Sequence, residues 1–132
     1  MPSTTTIPQA ELAYQASVLY EGQTYKLFLA LNPGGLTAES TVAQWEAAEC
    51  SGSGYAAATG TVAAGAWDAV DLRYEVPTLS LTVSATGNLS YDTLVTKIGS
   101  RTYCANVTNL GGTVNLTSGQ MRVYQVQLAQ ND

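Results

Sequence analysis

The sequence predicts an all-β fold: a β-sandwich (jelly-roll or Ig-like) of about seven to nine short antiparallel strands, with one short helix and an extended N-terminal arm. Three observations carry this expectation. Ten Ser, seventeen Thr, twelve Gly and eight Tyr among 132 residues suit pleated surfaces and turns, and only 11% of the chain is charged. Apolar side chains recur with a period of two in one run after another. Gly, Pro and Asn clusters separate those runs, while no repeat of about 20 to 50 residues suggests a solenoid or propeller.

The elements follow in chain order. Residues 1–10 carry no periodicity, and Pro2 and Pro8 bracket a Ser/Thr run with Ile7 in it, so they read as an arm, leaving residues 11–132 as a single domain. Tyr14, Ala16, Val18 and Tyr20 alternate, Glu21-Gly22 offers a turn, and Tyr25, Leu27, Leu29 and Leu31 resume the alternation, which predicts a hairpin. Phe28 and Ala30 make the second strand apolar on both faces, as in a central, doubly covered strand. After Asn32-Pro33-Gly34-Gly35, the segment Thr37–Glu49 is the helix candidate, with Thr37 as cap and Val42, Trp45 and Ala48 on one face.

Ala56 to Ala66 is too poor in large side chains to fix a register and reads as an edge or loop. Val70, Leu72, Tyr74 and Val76 alternate with Asp71, Arg73 and Glu75 in a half-buried strand, and Leu79, Leu81, Val83 and Ala85 form another after Pro77. Further strands are read at Leu94–Ile98 and Arg101–Val107, the latter closed by turn chemistry at Asn109–Gly112. Val114-Asn115-Leu116 and a final strand through Tyr124, Val126 and Leu128 follow, with Ala129–Asp132 as a short tail.

Composition excludes several function classes. A net charge of −5 meets a phosphate backbone with repulsion, so no nucleic-acid partner is expected. The chain has no His, which removes the usual general base near neutral pH and the commonest metal ligand, and no apolar run is long enough to cross a membrane. Cys50 and Cys104 lack Cys-x-x-Cys spacing and read as two buried or partly buried thiols. No cofactor, metal or catalytic residue is expected. Asp68, Asp71 and Glu75 read as a solvated charged face, and Ser51-Gly52-Ser53-Gly54 as a flexible loop without the lysine of a phosphate-binding motif.

Tyr25-Lys26-Leu27-Phe28-Leu29-Ala30-Leu31, Leu36-Thr37-Ala38-Glu39-Ser40-Thr41, Glu49-Cys50-Ser51-Gly52-Ser53-Gly54-Tyr55 and Ser90 to Gly99, closed by Val114 to Gln120 and Tyr124-Gln125-Val126, carry a resemblance. In that order they resemble a family of small tailed-bacteriophage virion structural proteins, over roughly residues 20 to 128. The resemblance implies a non-enzymatic particle component, expected to be a capsid decoration or cement subunit that stabilises the head shell through protein–protein contacts. Its partners would be the major capsid protein or tail components and copies of itself, and the protein is expected in the virion after being made in the host cytoplasm. The alternative is a tail fibre or baseplate adaptor, or a receptor- or glycan-binding module, to which the Tyr residues, Trp45 and Trp67 lend aromatic faces. Ile7 in the arm and Tyr55, Tyr91 and Tyr103, outside the apolar phase of the strands, are the expected partner-binding residues.

Overall fold

The computed structural model describes residues 8–70 and 73–131, and the chain divides into two compact units. The fold class is all-β as expected. The described elements are α1 (Gln9–Leu19), β1 (Thr24–Ala30), α2 (Val42–Ala47), β2 (Ala58–Thr61), β3 (Ala66–Asp68), β4 (Arg73–Glu75), β5 (Leu79–Ser84), β6 (Leu89–Ile98), β7 (Asn106–Leu116), β8 (Met121–Val126) and β9 (Ala129–Asn131).

One unit comprises residues 24–60 and 79–126. Its larger sheet has the order β2-β1-β6-β7, which makes β1 central as expected, and Leu27, Phe28, Leu29 and Ala30 are all completely buried. The antiparallel register sets Phe28 opposite Val95 and Leu29 opposite Leu94. Phe28, Ala30 and Val95 form a core cluster with Trp45 of α2, whose Nε1 donates to the Thr37 carbonyl oxygen at 3.0 Å. The second sheet, β5-β8, turns Leu79, Leu81 and Val83 inward, and Tyr124 of β8 meets the ring of Tyr91 of β6 edge to face at 5.8 Å. Two antiparallel sheets with a shared apolar interior give this unit its sandwich-like character. Each large side chain so buried contributes about 1.5–3 kcal/mol before chain entropy is counted.

The helix of this unit is shorter than expected and starts later. Thr41, not Thr37, is its cap: the Thr41 hydroxyl accepts from the Gln44 amide at 3.2 Å and the Gln44 side chain accepts from the Thr41 amide at 2.8 Å. This reciprocal box satisfies two donors at once. Thr37 Oγ1 instead accepts from the Glu39 amide in a turn outside the helix. β7 also departs from expectation, since Asn109–Gly112 does not end the strand. Thr93 pairs with Asn109 and Tyr91 with Val114, so the intervening residues bulge out of β7, with Gly111 and Gly112 at φ 86° and 156°.

The Ser51–Gly54 segment is a docked turn rather than a flexible loop. Ser53 accepts from the Thr86 amide at 2.8 Å, and a Cβ on Gly54 would collide with the Ser84 carbonyl oxygen. Gly54 sits at φ 83°, where glycine is favoured, so both the approach and the backbone require it.

The other unit comprises residues 1–23, 61–78 and 127–132, and its described strands form the sheet β3-β4-β9. Here α1 replaces the first strand of the expected hairpin, so the described chain has two helices rather than one. Pro8 starts it, its carbonyl accepting from the Glu11 and Leu12 amides at 3.0 Å, and α1 lies against β3, β4 and β9 with Leu12 completely buried. Tyr14 and Val18, read as buried strand positions, are 63% and 54% exposed. The expected arm therefore ends earlier, since Gln9 and Ala10 belong to α1, and its residues up to Ile7 lie outside those described. Val70 is likewise exposed: the Asp68 carboxylate accepts its amide at 2.8 Å in a turn that closes β3, and the strand after it is only Arg73–Glu75. Ala129–Asn131, read as a tail, pairs with β4 as β9.

Candidate protein-binding surface

Of the four aromatic and apolar residues expected to bind partners, the structure leaves one as an exposed anchor. Ile7 lies outside the described residues. Tyr91 is completely buried, with its hydroxyl 2.6 Å from that of Tyr124, so it offers no surface and the expectation for it is corrected. Burial first, and then the hydrogen bond with Tyr124, pushes its phenol well above the ordinary range. Tyr55 is half-buried and turned inward, where its hydroxyl accepts from the Leu29 amide at 3.0 Å and donates to Glu49 Oε2 at 2.8 Å. Tyr103 is 60% exposed, on a segment that is tied to α2 because Val42 donates to the Thr102 carbonyl at 2.8 Å.

Tyr55 is one end of a charged network. Lys26 Nζ lies 2.7 Å from Glu49 Oε1 and 3.0 Å from Glu46 Oε2, and Lys97 Nζ lies 3.3 Å from Glu46 Oε1. The Lys26 ammonium also stands 4.8 Å from the centre of the Phe28 ring, a cation–π distance. Burial works against the Lys26 charge, yet its bonds to Glu49 and Glu46 outweigh that and raise its pKa. The bond to Lys26 holds the Glu46 carboxyl below its usual range despite burial, with Lys97 adding to the effect. Every charge here has an opposite partner, so the network clamps α2 to the β1–β6 pair rather than leaving a reactive group.

Cys50 and Cys104 are free, half-buried thiols, as expected. Burial and then the Glu49 charge push the Cys50 thiol up to about 11, and its Sγ donates to the Ser90 carbonyl at 3.2 Å, so the thiolate is scarce at neutral pH. Among the described residues no group of three His, Cys, Asp or Glu side chains could hold a metal ion. Asp68 and Glu75 lie on β3 and β4, and Asp71 falls outside the described residues.

The β5–β8 sheet presents a different kind of surface. The register sets Ser80 opposite Gln125, Thr82 opposite Val123 and Ser84 opposite Met121, and all six side chains are exposed. None of them is charged, and Met121 and Val123 are 57% and 53% exposed. Among the described residues neither strand pairs with a further strand on its outer edge, although Ser53 and Gly54 lie against Ser84 and Thr86 at the end of β5 and Arg122 Nη1 donates to the Met121 carbonyl at 3.0 Å. Sequence alternation identified the outward phase of β5, but a two-stranded sheet follows from pairing between distant segments and has no local signature.

No protein-family model, curated protein or solved structure matches this chain.

Proposed function

We propose that the protein is a bacteriophage virion structural subunit, a decoration or cement protein that binds the head shell without catalysis, and that the β5–β8 sheet is its docking element. The occupant is an extended strand of the shell protein that pairs with an outer edge of this sheet. The observation that carries the reading is the uncharged outer face of Ser80, Thr82, Ser84, Met121, Val123 and Gln125 beside two edges on which no further described strand pairs. Edge pairing supplies affinity through main-chain hydrogen bonds and lets alternate side chains set specificity. An uncharged face matters in a chain of net charge −5, because a partner lying on it desolvates charge only at the β8 edge, where Arg122 is exposed. The resemblance of residues 20 to 128 to small virion structural proteins supports the virion setting, and the absence of His supports a role without acid–base chemistry.

Immunogold labelling of purified tailed particles with an antibody against this chain tests the setting. Label distributed over the head supports the decoration role. Label confined to the tail tip moves the protein to the fibre or baseplate, and particles without label overturn the virion reading.

A further inference from the structure

The unit built on β3, β4 and β9 holds a cleft of about 400 Å³ whose chemistry the assembly role does not use. Trp67 of β3 lines it, together with Asp68, Glu75 and Gln127, while Gly65 and Ala66 form a wall of small residues that leaves room beside the indole. We propose that this cleft binds a neutral saccharide, with a sugar ring on Trp67 and its hydroxyls on Asp68, Glu75 and Gln127.

Three features argue for that ligand class. The two tryptophans of the chain have different fates: Trp45 is 1% exposed and its Nε1 is committed to Thr37, whereas Trp67 is only half-buried and lines an open cleft. A flat indole beside carboxylate and amide groups matches a molecule with C–H faces and a rim of hydroxyls. The polar groups are also held in place before any ligand arrives. Asp68 Oδ1 accepts from the Val70 amide at 2.8 Å, Gln127 Nε2 donates to the Val76 carbonyl at 3.4 Å, and the Gly65 amide donates to Glu21 Oε1 at 2.6 Å. Such positioning lowers the ordering cost of binding.

Charge narrows the choice further. Two carboxylates on the wall and a net charge of −5 disfavour an anionic sugar or a phosphate. Asp68 and Glu75 are both already engaged with other groups, so they act as oriented hydrogen-bond acceptors rather than as bare charges awaiting a cation. The volume is toward the small end of ligand pockets, which suits one or two sugar rings.

The test titrates the full chain with neutral trisaccharides of glucose, galactose, mannose and N-acetylglucosamine and follows acrylamide quenching of tryptophan emission. Because Trp45 is buried, the quenchable signal belongs to Trp67. At least one sugar should protect that signal with a dissociation constant on the order of 1 mM, near −4 kcal/mol. Trp67→Ala should abolish binding, and Glu75→Gln, chosen because it keeps size and shape, should weaken it by about tenfold in a chain that still folds. Absence of protection by every sugar overturns the proposal. Protection that survives Trp67→Ala also overturns it, as does protection only by an arginine- or lysine-rich peptide, which would assign the cleft to a cationic partner.

Discussion

Lys26 and Lys97 stand directly opposite each other in the β1–β6 register, and Glu46 holds the two like charges together by binding Lys26 at 3.0 Å and Lys97 at 3.3 Å. Directly opposed like charges destabilise an antiparallel pair, so this carboxylate on α2 converts a repulsive pair into a clamp between helix and sheet. Glu46→Gln should therefore cost about 1–3 kcal/mol in urea unfolding. Adding Lys97→Met should recover part of that loss, because the repulsion disappears with the second ammonium. A double-mutant cycle that gives simple additivity would show that Glu46 does not couple the two lysines.

The pH dependence has two arms with opposite causes. The Glu46 pKa is lowered in the folded chain from its ordinary value of 4.5, so its stabilisation is present above that value and is lost as pH falls through the lower folded value. The Lys26 pKa is raised from 10.5, so its share is present below 10.5 and is lost as pH rises through the higher folded value. Cys50 acts in the same direction as Lys26: the unfolded thiol ionises near 9.0 while the folded one stays neutral to about 11, and stability declines between them. Urea midpoints measured across pH should be flat near neutrality, fall in strong acid below 4.5 and fall again above 9.0. Cys50→Ser should blunt the onset of the alkaline fall.

Tyr55 and Tyr103 should differ in their weight for stability. Tyr55→Phe removes the acceptor for the Leu29 amide and the donor to Glu49, so it should destabilise by about 1–3 kcal/mol. Tyr103→Ala removes a side chain that is 60% exposed and should change the melting temperature little. Thermal melts of the two variants check the contrast, and equal losses would contradict it.

Gly54→Ala should be among the most damaging small substitutions in the chain. The added methyl meets the Ser84 carbonyl oxygen, which belongs to backbone and cannot swing aside, at a φ of 83° that alanine disfavours. The expected loss is roughly 2–4 kcal/mol, read from urea unfolding. Gly34→Ala, with open space around its Cβ position and φ 108°, carries only the backbone penalty and should lose less.

Where the sequence was legible, one period dominated. The continuous apolar run from Leu27 to Ala30 marked a central strand, and Leu79, Leu81 and Val83 alternating with Ser80, Thr82 and Ser84 marked one with a single buried face. Where two periods competed, alternation misled. Tyr14, Ala16 and Val18 satisfy a period of two, yet Leu12, Ala16 and Leu19 also satisfy a helical spacing, and Pro8 followed by Gln, Ala, Glu and Leu favours the helix. The binding residues were harder still. Whether Tyr55 or Tyr91 faces solvent depends on partners 26 and 33 residues away, Leu29 and Tyr124, which no local pattern records. The pairing of Thr82 with Val123 that builds the proposed docking face is equally remote in sequence.

The most direct test of the docking account is the occupancy of purified head shells by two variants at the β5–β8 face, Val123→Lys and the double variant Thr82→Lys/Val123→Lys. Both positions are exposed, so the melting temperature of the free protein should stay within a few degrees of the parent. A buried, unpaired ammonium in the interface should reduce shell binding by at least about tenfold for the single variant and further for the double. Undiminished occupancy with both lysines in place would contradict the claim that this sheet is where the protein docks.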